Sequence, residues 1–332
     1  MDKVGLVVEG GGTKIAYSAG VLECFLKHHI YFPYSVGISS GSEVLLAYVA
    51  RQIPRLRVTA IDSASQKGAM GWRPFLKEGS LFGLEATNEY IEKHAPLDFM
   101  AFFGSETQMD IGVYNMETGQ VEYFGKPYVD ADMTLIKASC ALLLLAKPYS
   151  FHGNRYFDAG LVDMISIEQA LRQGCDKVVV LSTKEKGYRR KPAPKWQLWL
   201  AKLVYHDPKI VEDLKNRHLN YEKQWSLVEQ LEAEGKALVI RPQKNMGVTR
   251  YTTNPKKLEP WFELGYEETE ARLDEIRKFC GINSSETKQE EEYKKQEEKE
   301  LEFENSNLET ITENHPSASQ PWLSTGEKML AR

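Results

Sequence analysis

The chain has 332 residues, of which 42% are apolar and 27% charged. These proportions are ordinary for a globular protein and exclude a wholly disordered or collagen-like chain. The four cysteines are far apart, which argues against a disulfide framework or a cysteine-rich zinc module, and we expect no bound metal or cofactor. The sequence has no signal peptide at its start and no apolar run long enough to cross a bilayer. We therefore expect a cytoplasmic protein.

Acidic charge is concentrated near the end of the chain. The formal net charge is −5, yet residues 286–313 alone carry eleven Glu and four Lys, so residues 1–285 are close to neutral. A near-neutral body lacks the basic face that nucleic acid requires, and we expect no nucleic-acid partner. The sequence predicts a globular domain at 1–285 and a charged tail at 286–332, either disordered or a single helix.

Two strand–glycine–helix units occupy the first fifty residues. A Val-rich run at 3–9 ends in three glycines and is followed by helical spacing at 13–29. A second strand at 34–38 leads directly into a helix at 40–51. This alternation predicts a three-layer α/β/α domain with a mainly parallel central sheet.

The later segments continue the mixed pattern. We expect helices at 84–94 and 166–173, and one closing helix at 258–279. We expect a hairpin formed by residues 108–114 and 121–124, and further strands at 155–157, 177–183 and 237–241.

The first candidate for chemistry is a GxSxG motif formed by Gly37, Ser39 and Gly41, between a predicted strand and helix. A sharp turn there would expose the Ser39 hydroxyl, with small flanking residues avoiding clashes. The helix that begins at Ser40 would direct free amides toward a developing oxyanion. The alternative is a plain strand-to-helix turn with a capping serine.

The second candidate is the loop Gly10-Gly11-Gly12-Thr13-Lys14. Consecutive glycines leave backbone amides open to an oxyanion or a phosphate, and Lys14 could add positive charge. The residue pattern fits neither GxGxxG nor GxxxxGK[ST], which argues against a nucleotide-binding loop. A glycine turn that only lets the helix pack on the sheet remains the alternative.

Asp158 ends a predicted strand and precedes Ala159 and Gly160. By itself this is a common turn residue. A serine nucleophile needs a base, however, and the histidines that follow Asp158 are His206, His218 and His315. None of them follows a strand or a glycine loop, so Asp158 is the natural candidate for a base without histidine.

Together these motifs resemble the patatin-like phospholipases. The resemblance covers about residues 3–280 and implies a three-layer α/β fold and lipid acyl hydrolysis by a Ser–Asp dyad, through an acyl-enzyme. It implies Ser39 as nucleophile and Asp158 as base. It also implies an oxyanion hole formed by Gly11, Gly12, Lys14 and Ser40. The chain departs from the family pattern at Ile15 and Ala159.

Membrane contact is a further expectation. Residues 184–202 contain seven basic residues and one acid, and Trp196 and Trp199 fall on one face of a predicted helix. A basic amphipathic helix with tryptophans suits a bilayer interface, although the tryptophans could instead pack on the domain. The leading prediction is thus a serine lipid acyl hydrolase that is cytoplasmic and peripheral at the membrane. The alternatives are an esterase or thioesterase for small soluble acyl esters, and a non-catalytic scaffold.

Overall fold

An eight-stranded sheet forms the centre of the protein in a computed structural model that describes residues 2–282. Its strands are β1 (Val4–Val8), β2 (Tyr34–Ile38), β3 (Gln108–Asn115), β4 (Gln120–Gly125), β5 (Tyr149–Phe151), β6 (Asn154–Asp158), β7 (Lys177–Leu181) and β8 (Ala237–Ile240). They lie in the order β5–β6–β3–β2–β1–β7–β8, with β4 also paired to β3. Strands β3, β2, β1, β7 and β8 are parallel, and the β4, β5 and β6 pairings are antiparallel.

Helices connect these strands. They are α1 (Ala16–Lys27), α2 (Ser40–Val49), α3 (Ile53–Arg57), α4 (Ser63–Ser65), α5 (Trp72–Glu78), α6 (Leu84–His94), α7 (Phe99–Gly104), α8 (Thr134–Cys140), α9 (Ile167–Arg172), α10 (Lys195–Tyr205), α11 (Pro208–Ala233), α12 (Pro255–Glu270) and α13 (Leu273–Cys280). Short 3₁₀ turns occupy Gly12–Ile15, Lys126–Tyr128 and Ala159–Leu161, and a π turn occupies Val58–Asp62. Within the described part of the chain, no helix is both long and apolar enough to cross a membrane.

Helices cover both faces of the sheet. On one face, α9 and α11 bury apolar side chains against Val36, Val178 and Val180 of the parallel strands. On the other face α1 and α2 pack together, and α12 lies against α1. The contact between α1 and α12 is so close that it requires glycine at position 20. A Cβ there would lie 2.0 Å from the carbonyl oxygen of Phe262.

The predicted three-layer fold with a mainly parallel sheet is confirmed. Strand β2 and helix α6 have the predicted bounds, because their apolar spacing is uninterrupted. The prediction of a single closing helix at 258–279 is wrong, because a turn at 271–272 separates α12 from α13. Arg272, at this turn, donates to the Val239 carbonyl in β8 and pairs with Glu275 in α13, so both contacts hold the turn in place. The predicted tail at 286–332 lies outside the described residues.

Candidate active site

Ser39 occupies a strained turn at the carboxyl end of β2. Its backbone has φ 56° and ψ −136°, between the last residue of β2 and the first residue of α2. A non-glycine residue in such a region costs about 1–3 kcal/mol, so the surrounding structure must hold it in place. Ser139 does so from α8: its hydroxyl accepts a 3.0 Å hydrogen bond from the Ser39 amide and donates to the carbonyl of Gly112.

The two flanking glycines are required by close contacts. A Cβ at Gly37 would lie 2.7 Å from the amide nitrogen of Ser42, and one at Gly41 would lie 2.5 Å from the carbonyl oxygen of Val8. Both distances are shorter than real side chains tolerate, so with larger residues α2 could not approach β2 and β1 this closely. The GxSxG spacing therefore reflects the geometry of the turn.

Asp158 lies beside this serine at the end of β6. Its carboxyl group is buried, accepts a 2.7 Å hydrogen bond from the Gly160 amide and lines a cavity that Ser39 also lines. Burial raises the pKa of Asp158, while the Gly160 amide, the Ser39 hydroxyl and the positive charges of Arg217 and Arg250 act in the opposite direction. A carboxylate with a raised pKa is a stronger base, which suits it to accept a proton from serine.

Neither described histidine that follows Asp158 takes part in this arrangement. His206 is exposed at the C-terminal end of α10, and His218 lies on α11. Neither lines a cavity that reaches Ser39. His315 lies outside the described residues.

The glycine loop between β1 and α1 faces the serine turn. Gly10 is packed against it, since a Cβ there would lie 2.9 Å from that of Ser39. The Gly11 amide donates a 3.2 Å hydrogen bond to the Ser40 hydroxyl. Gly12 and Ser40 are the first residues of a 3₁₀ turn and of α2, so their amides have no acceptor within their own helices. Gly12 and Ser40 are thus the predicted donors best placed for an oxyanion.

The prediction that Lys14 contributes to the oxyanion hole does not match the direction of its side chain. Its Nζ lies 3.7 Å from a carboxylate oxygen of Glu185 and above the ring of Trp261. It lines neither cavity at Ser39. Burial is the main cause of its lowered pKa. Because the side chain extends toward Trp261 in α12, its contacts hold the loop to α12, and the Gly–Lys spacing alone could not reveal this direction.

A buried ion pair, which the sequence motifs did not indicate, also holds the glycine loop. Glu9 and Lys184 are both buried, and their charged groups lie 2.7 Å apart. Lys184 also donates to the Gly10 carbonyl, and burial lowers the pKa of its ammonium to about 8. Removing either partner would leave an unpaired buried charge, so this pair fixes the position of the loop. Lys184 therefore does not belong to the surface basic cluster that the sequence predicts.

Two cavities meet at Ser39. The first, the apolar cavity, is lined mainly by apolar and small side chains from the π turn at Val58–Asp62, from α4 and α6, from the loops between α4 and α6, and from the end of α8. They are Gly12, Thr13, Ile15, Ser39, Ser40, Glu43, Thr59, Ala60, Ser63, Ala64, Ala69, Met70, Phe82, Gly83, Leu84, Thr87, Cys140 and Leu142. Its mainly apolar lining suits a hydrocarbon chain whose ester carbon lies at the serine.

The second, the cationic cavity, lies on the other side of the serine. Its lining consists of Gly10, Gly11, Gly12, Ile38, Ser39, Leu142, Asp158, Gly160, Met164, Arg190, Arg217 and Arg250. The three arginines were not predicted as site residues, since they come from separate segments that only the fold brings together. Arg217 donates a 2.6 Å hydrogen bond from Nε to the Gly160 carbonyl, beside Asp158.

A second carboxyl group lies in the apolar cavity. Burial raises the pKa of Glu43 to about 7, with a hydrogen bond from Cys140 acting in the opposite direction. Cys140 also interacts with the Ser39 hydroxyl, and burial raises its own pKa. Glu43 is therefore the group in this cavity whose charge changes near neutral pH, a property that depends on burial and could not be seen in the sequence.

The positions where the chain departs from the family pattern fit the site. Ile15 is buried and lines the apolar cavity. Ala159 is buried in the turn after Asp158 and does not have a positive φ, so alanine is accommodated there without strain. Gly160 places its amide against the Asp158 carboxylate.

Trp196 and Trp199 lie on α10 with 62% and 65% of their surfaces exposed. Leu203 and Val204 continue the same exposed stripe. These tryptophans are therefore not core residues, and α10 is anchored to the domain instead by the buried Ala201.

A second exposed apolar group, on α5, was not predicted. It comprises Trp72, Phe75 and Leu76. Helix α5 packs beside the apolar cavity: its Pro74 lies against Gly83, which is one of the lining residues. It was missed because residues 52–105 lack a regular pattern.

A family model matches half of this chain, and two known proteins are similar to it. Residues 6–171 match the family described as patatin-like phospholipase, and residues 207–281 match a domain of unknown function, DUF6363. The uncharacterized protein YjjU of Escherichia coli (strain K12) is 26% identical over 186 residues, which are 54% of this chain and 52% of that protein. The chain thus spans about half the length of this relative. The crystal structure of VipD from Legionella pneumophila is 12% identical, with 83% of this chain and 67% of that chain covered and a TM-score of 0.41.

Proposed function

The chain belongs to the patatin-like phospholipase family, and from this premise we propose that it is a serine hydrolase that cleaves fatty-acyl esters of phospholipids or related lipids. The observation that carries the proposal is the position of Ser39, on its strained turn, in the lining of the same cavity as the buried Asp158 carboxylate. A serine held beside a base whose pKa is raised is the arrangement needed for nucleophilic catalysis.

In the acylation step, the Asp158 carboxylate accepts the proton of the Ser39 hydroxyl as Oγ attacks the ester carbonyl carbon. The carbonyl oxygen becomes an oxyanion, which the amides of Gly12 and Ser40 stabilise at the N-terminal end of α2. Collapse of the tetrahedral intermediate breaks the ester C–O bond. Asp158 returns the proton to the departing alcohol, and Ser39 is left as the acyl ester.

Deacylation repeats these steps with water. Asp158 takes a proton from a water molecule as its oxygen attacks the acyl carbon, and the same amides stabilise the second oxyanion. Breaking the Oγ–carbon bond releases the fatty acid, and Ser39 recovers its proton from Asp158. The net reaction consumes one ester and one water and yields one fatty acid and one alcohol.

The apolar cavity would hold the acyl chain during both steps. Its lining side chains include Ala60, Ala69 and Leu84, and Ser39 lies at its edge. Burying methylene groups there stabilises the complex by about 0.8 kcal/mol for each one removed from water. This location favours fatty-acyl esters over short acyl groups, which would leave most of the cavity empty.

Membrane contact is the second part of the proposal. The exposed stripe on α10 and the exposed side chains on α5 are apolar groups beside surface lysines, for example Lys195 and Lys202. Tryptophans with neighbouring cations are favourable at the headgroup level of a bilayer. Insertion of these side chains would bring the protein to aggregated lipid without a membrane-spanning helix.

The decisive test is lipid hydrolysis by purified protein, with wild type compared with Ser39→Ala. We expect fatty-acid release from phospholipid micelles by the wild type and none above background by the variant. Ser226→Ala, a change at an exposed serine on α11, is the matched control and should retain wild-type turnover. Equal turnover by wild type and Ser39→Ala would refute the assignment of the nucleophile. Activity confined to short soluble esters would favour a soluble esterase, and no activity on any ester would favour a scaffold.

A further inference from the structure

We propose that Arg190, Arg217 and Arg250 form a binding site for the phosphate group of the substrate, so that the enzyme selects acyl esters of glycerophosphates over neutral acylglycerols. The inference rests on the proposed hydrolase function of the same serine. It assigns a role to residues 207–281, whose matching family has no known function, because Arg217 and Arg250 come from that segment.

The three guanidinium groups are brought to one cavity by separate elements. Arg190 lies in the segment between β7 and α10, Arg217 is on α11, and Arg250 lies between β8 and α12. All three line the cationic cavity together with Ser39 and Asp158. The fold thus concentrates positive charge within a few side-chain lengths of the reacting serine.

This charge lacks matching acidic partners. Within residues 2–282, none of the three arginines has an Asp or Glu oxygen within 4.0 Å. Asp158 is the one acidic residue among the cavity's lining. The nearby lysines Lys14 and Lys184 are already paired with Glu185 and Glu9. Three guanidinium groups against a single carboxylate leave excess positive charge, which an anionic ligand would neutralise.

The arginines are also held ready for a ligand. The Arg190 guanidinium lies 4.9 Å from the centroid of the buried Tyr221 ring, and its Nε is buried without a hydrogen-bond acceptor among the described residues. Arg217 is fixed by its hydrogen bond to Gly160. Burial, together with repulsion from Arg190 and Arg250, lowers the pKa of Arg217 to about 9. Planar guanidinium groups held in place match the oxygens of a phosphate and bind it through paired hydrogen bonds.

The arrangement of the two cavities fits the order of groups in a glycerophospholipid. Both cavities are lined by Gly12, Ser39 and Leu142, so the serine lies where they join. A fatty-acyl chain in the apolar cavity places its ester carbon at Ser39. The short glycerol linker then carries the phosphate into the cationic cavity. A diacylglycerol has the same ester and no group for this site.

The first experiment compares two substrates with identical acyl chains. Dioleoyl phosphatidylglycerol and dioleoylglycerol are presented in the same nonionic detergent micelles, and kcat/KM is measured for each. We expect the wild type to prefer the phospholipid by about tenfold or more, the effect of losing one or two charge-assisted hydrogen bonds. Arg190→Gln and Arg250→Gln should each reduce this ratio by about tenfold, mainly through the KM of the phospholipid.

Matched variants separate this role from a structural one. Arg189→Gln changes an exposed neighbour of Arg190 that does not line the cavity, and should preserve the wild-type ratio. Arg190→Lys keeps the charge without the planar fork and should restore part of the preference. Arg217 is left intact, because its hydrogen bond to Gly160 also positions Asp158.

A binding measurement keeps this inference distinguishable from the proposed function. Isothermal titration of the Ser39→Ala protein with sn-glycerol 3-phosphate, and with inorganic phosphate, requires no turnover. We expect glycerol 3-phosphate to bind, with an affinity that falls on added salt and in Arg190→Gln and Arg250→Gln proteins that also carry Ser39→Ala. If no lipid is hydrolysed but this binding is found, the hydrolase proposal fails and the anion site stands.

Four results would overturn the inference. Equal wild-type rates on the two lipids would show that the phosphate is not selected. Equal losses on both lipids in the arginine variants would place the arginines at the oxyanion or in the fold. Absence of glycerol 3-phosphate binding, with phospholipid turnover intact, would show that the cavity does not hold this group. Binding of inorganic phosphate alone would make it a general anion site and would likewise overturn the assignment to substrate.

Discussion

The two cavities that meet at Ser39 are built by different parts of the chain. Every residue that lines the apolar cavity lies within 6–171, the segment that matches the patatin-like phospholipase family. The three arginines of the cationic cavity all come after residue 171. The proposed nucleophile, the proposed base and the apolar cavity thus lie together in the family segment, while the arginines of the cationic cavity come from later residues. We infer that reaction chemistry and recognition of the phosphate are separable in this protein.

The strongest test of this separation is removal of the base. Asp158→Asn should reduce kcat about a thousandfold or more on every ester, charged or neutral, since members of one catalytic unit are not additive. Because burial raises the pKa of Asp158, wild-type kcat should also fall as the pH is lowered through that pKa and the base becomes protonated. The measurement is kcat against pH for both lipids.

The variant Asp158→Asn, which should lose activity, should not lose stability. The folded-state pKa of Asp158 is raised above its unfolded value, so ionisation at higher pH destabilises the folded state. Asp158→Asn removes this cost, and we expect its melting temperature at pH 8 to equal or exceed that of wild type.

His218→Ala is the control for the loss of kcat in Asp158→Asn and should keep most of the activity. A thousandfold loss in a folded His218→Ala protein would replace the dyad with a triad.

Filling the apolar cavity should change chain-length preference and leave phosphate recognition intact. Ala64→Phe places an aromatic ring in the lining, so turnover of long-chain esters should fall about 10- to 100-fold, while short-chain esters are affected much less. Ala101→Phe, at an exposed position on α7, is the matched control. Equal losses at every chain length would mean that the acyl chain binds elsewhere.

Loss of membrane contact should weaken binding and hydrolysis of aggregated lipid and leave hydrolysis of soluble esters unchanged. Changing Trp196 and Trp199 to Ala removes two exposed apolar side chains, and vesicle binding in a flotation assay should fall several-fold. Binding should depend on anionic lipid and weaken with salt, since each surface cation contributes about 1 kcal/mol that ions screen. Met100→Ala, which alters an exposed apolar residue on α7, serves as control. A matching loss on a soluble short-chain ester would instead assign the tryptophans to the site.

The smallest expected effect concerns Glu43 in the apolar cavity. Its folded pKa of about 7 lies above its ordinary value of 4.5, so the folded state holds the extra proton between these values. Stability from this group is therefore complete below about pH 4.5 and is lost as the pH rises through 7. Glu43→Gln should raise the melting temperature at pH 8 by about 3 °C and change it little at pH 5. Glu212→Gln, at an exposed position, should show no such dependence, and a flat difference for Glu43→Gln would contradict the burial argument.

The difference between the cavities also explains what the sequence could reveal. Strands β1 and β2 and the glycines around Ser39 were predictable, because buried parallel strands and close backbone contacts permit few residue types. Asp158 was predictable as the strand-ending acid that a serine without a histidine requires. The fold class followed from the alternation of strands and helices.

The remaining parts of the site depend on packing between distant segments. Arg190, Arg217 and Arg250 stand in unremarkable surroundings along the chain, and only the fold places them in one cavity. The direction of Lys14 toward Glu185 and the burial of Lys184 depend on contacts with residues far away in sequence. Long side chains can reach several neighbours, so their roles could not be fixed by spacing alone.

Covalent labelling shows whether Ser39 is a nucleophile that Asp158 activates. The purified protein is treated with a fluorophosphonate, and the adduct is located by peptide mass spectrometry. We predict a single adduct on Ser39, slow labelling of Asp158→Asn, and no adduct on Ser39→Ala. An adduct on Ser42, or no adduct on the folded wild-type protein, would show that Ser39 is not the activated nucleophile.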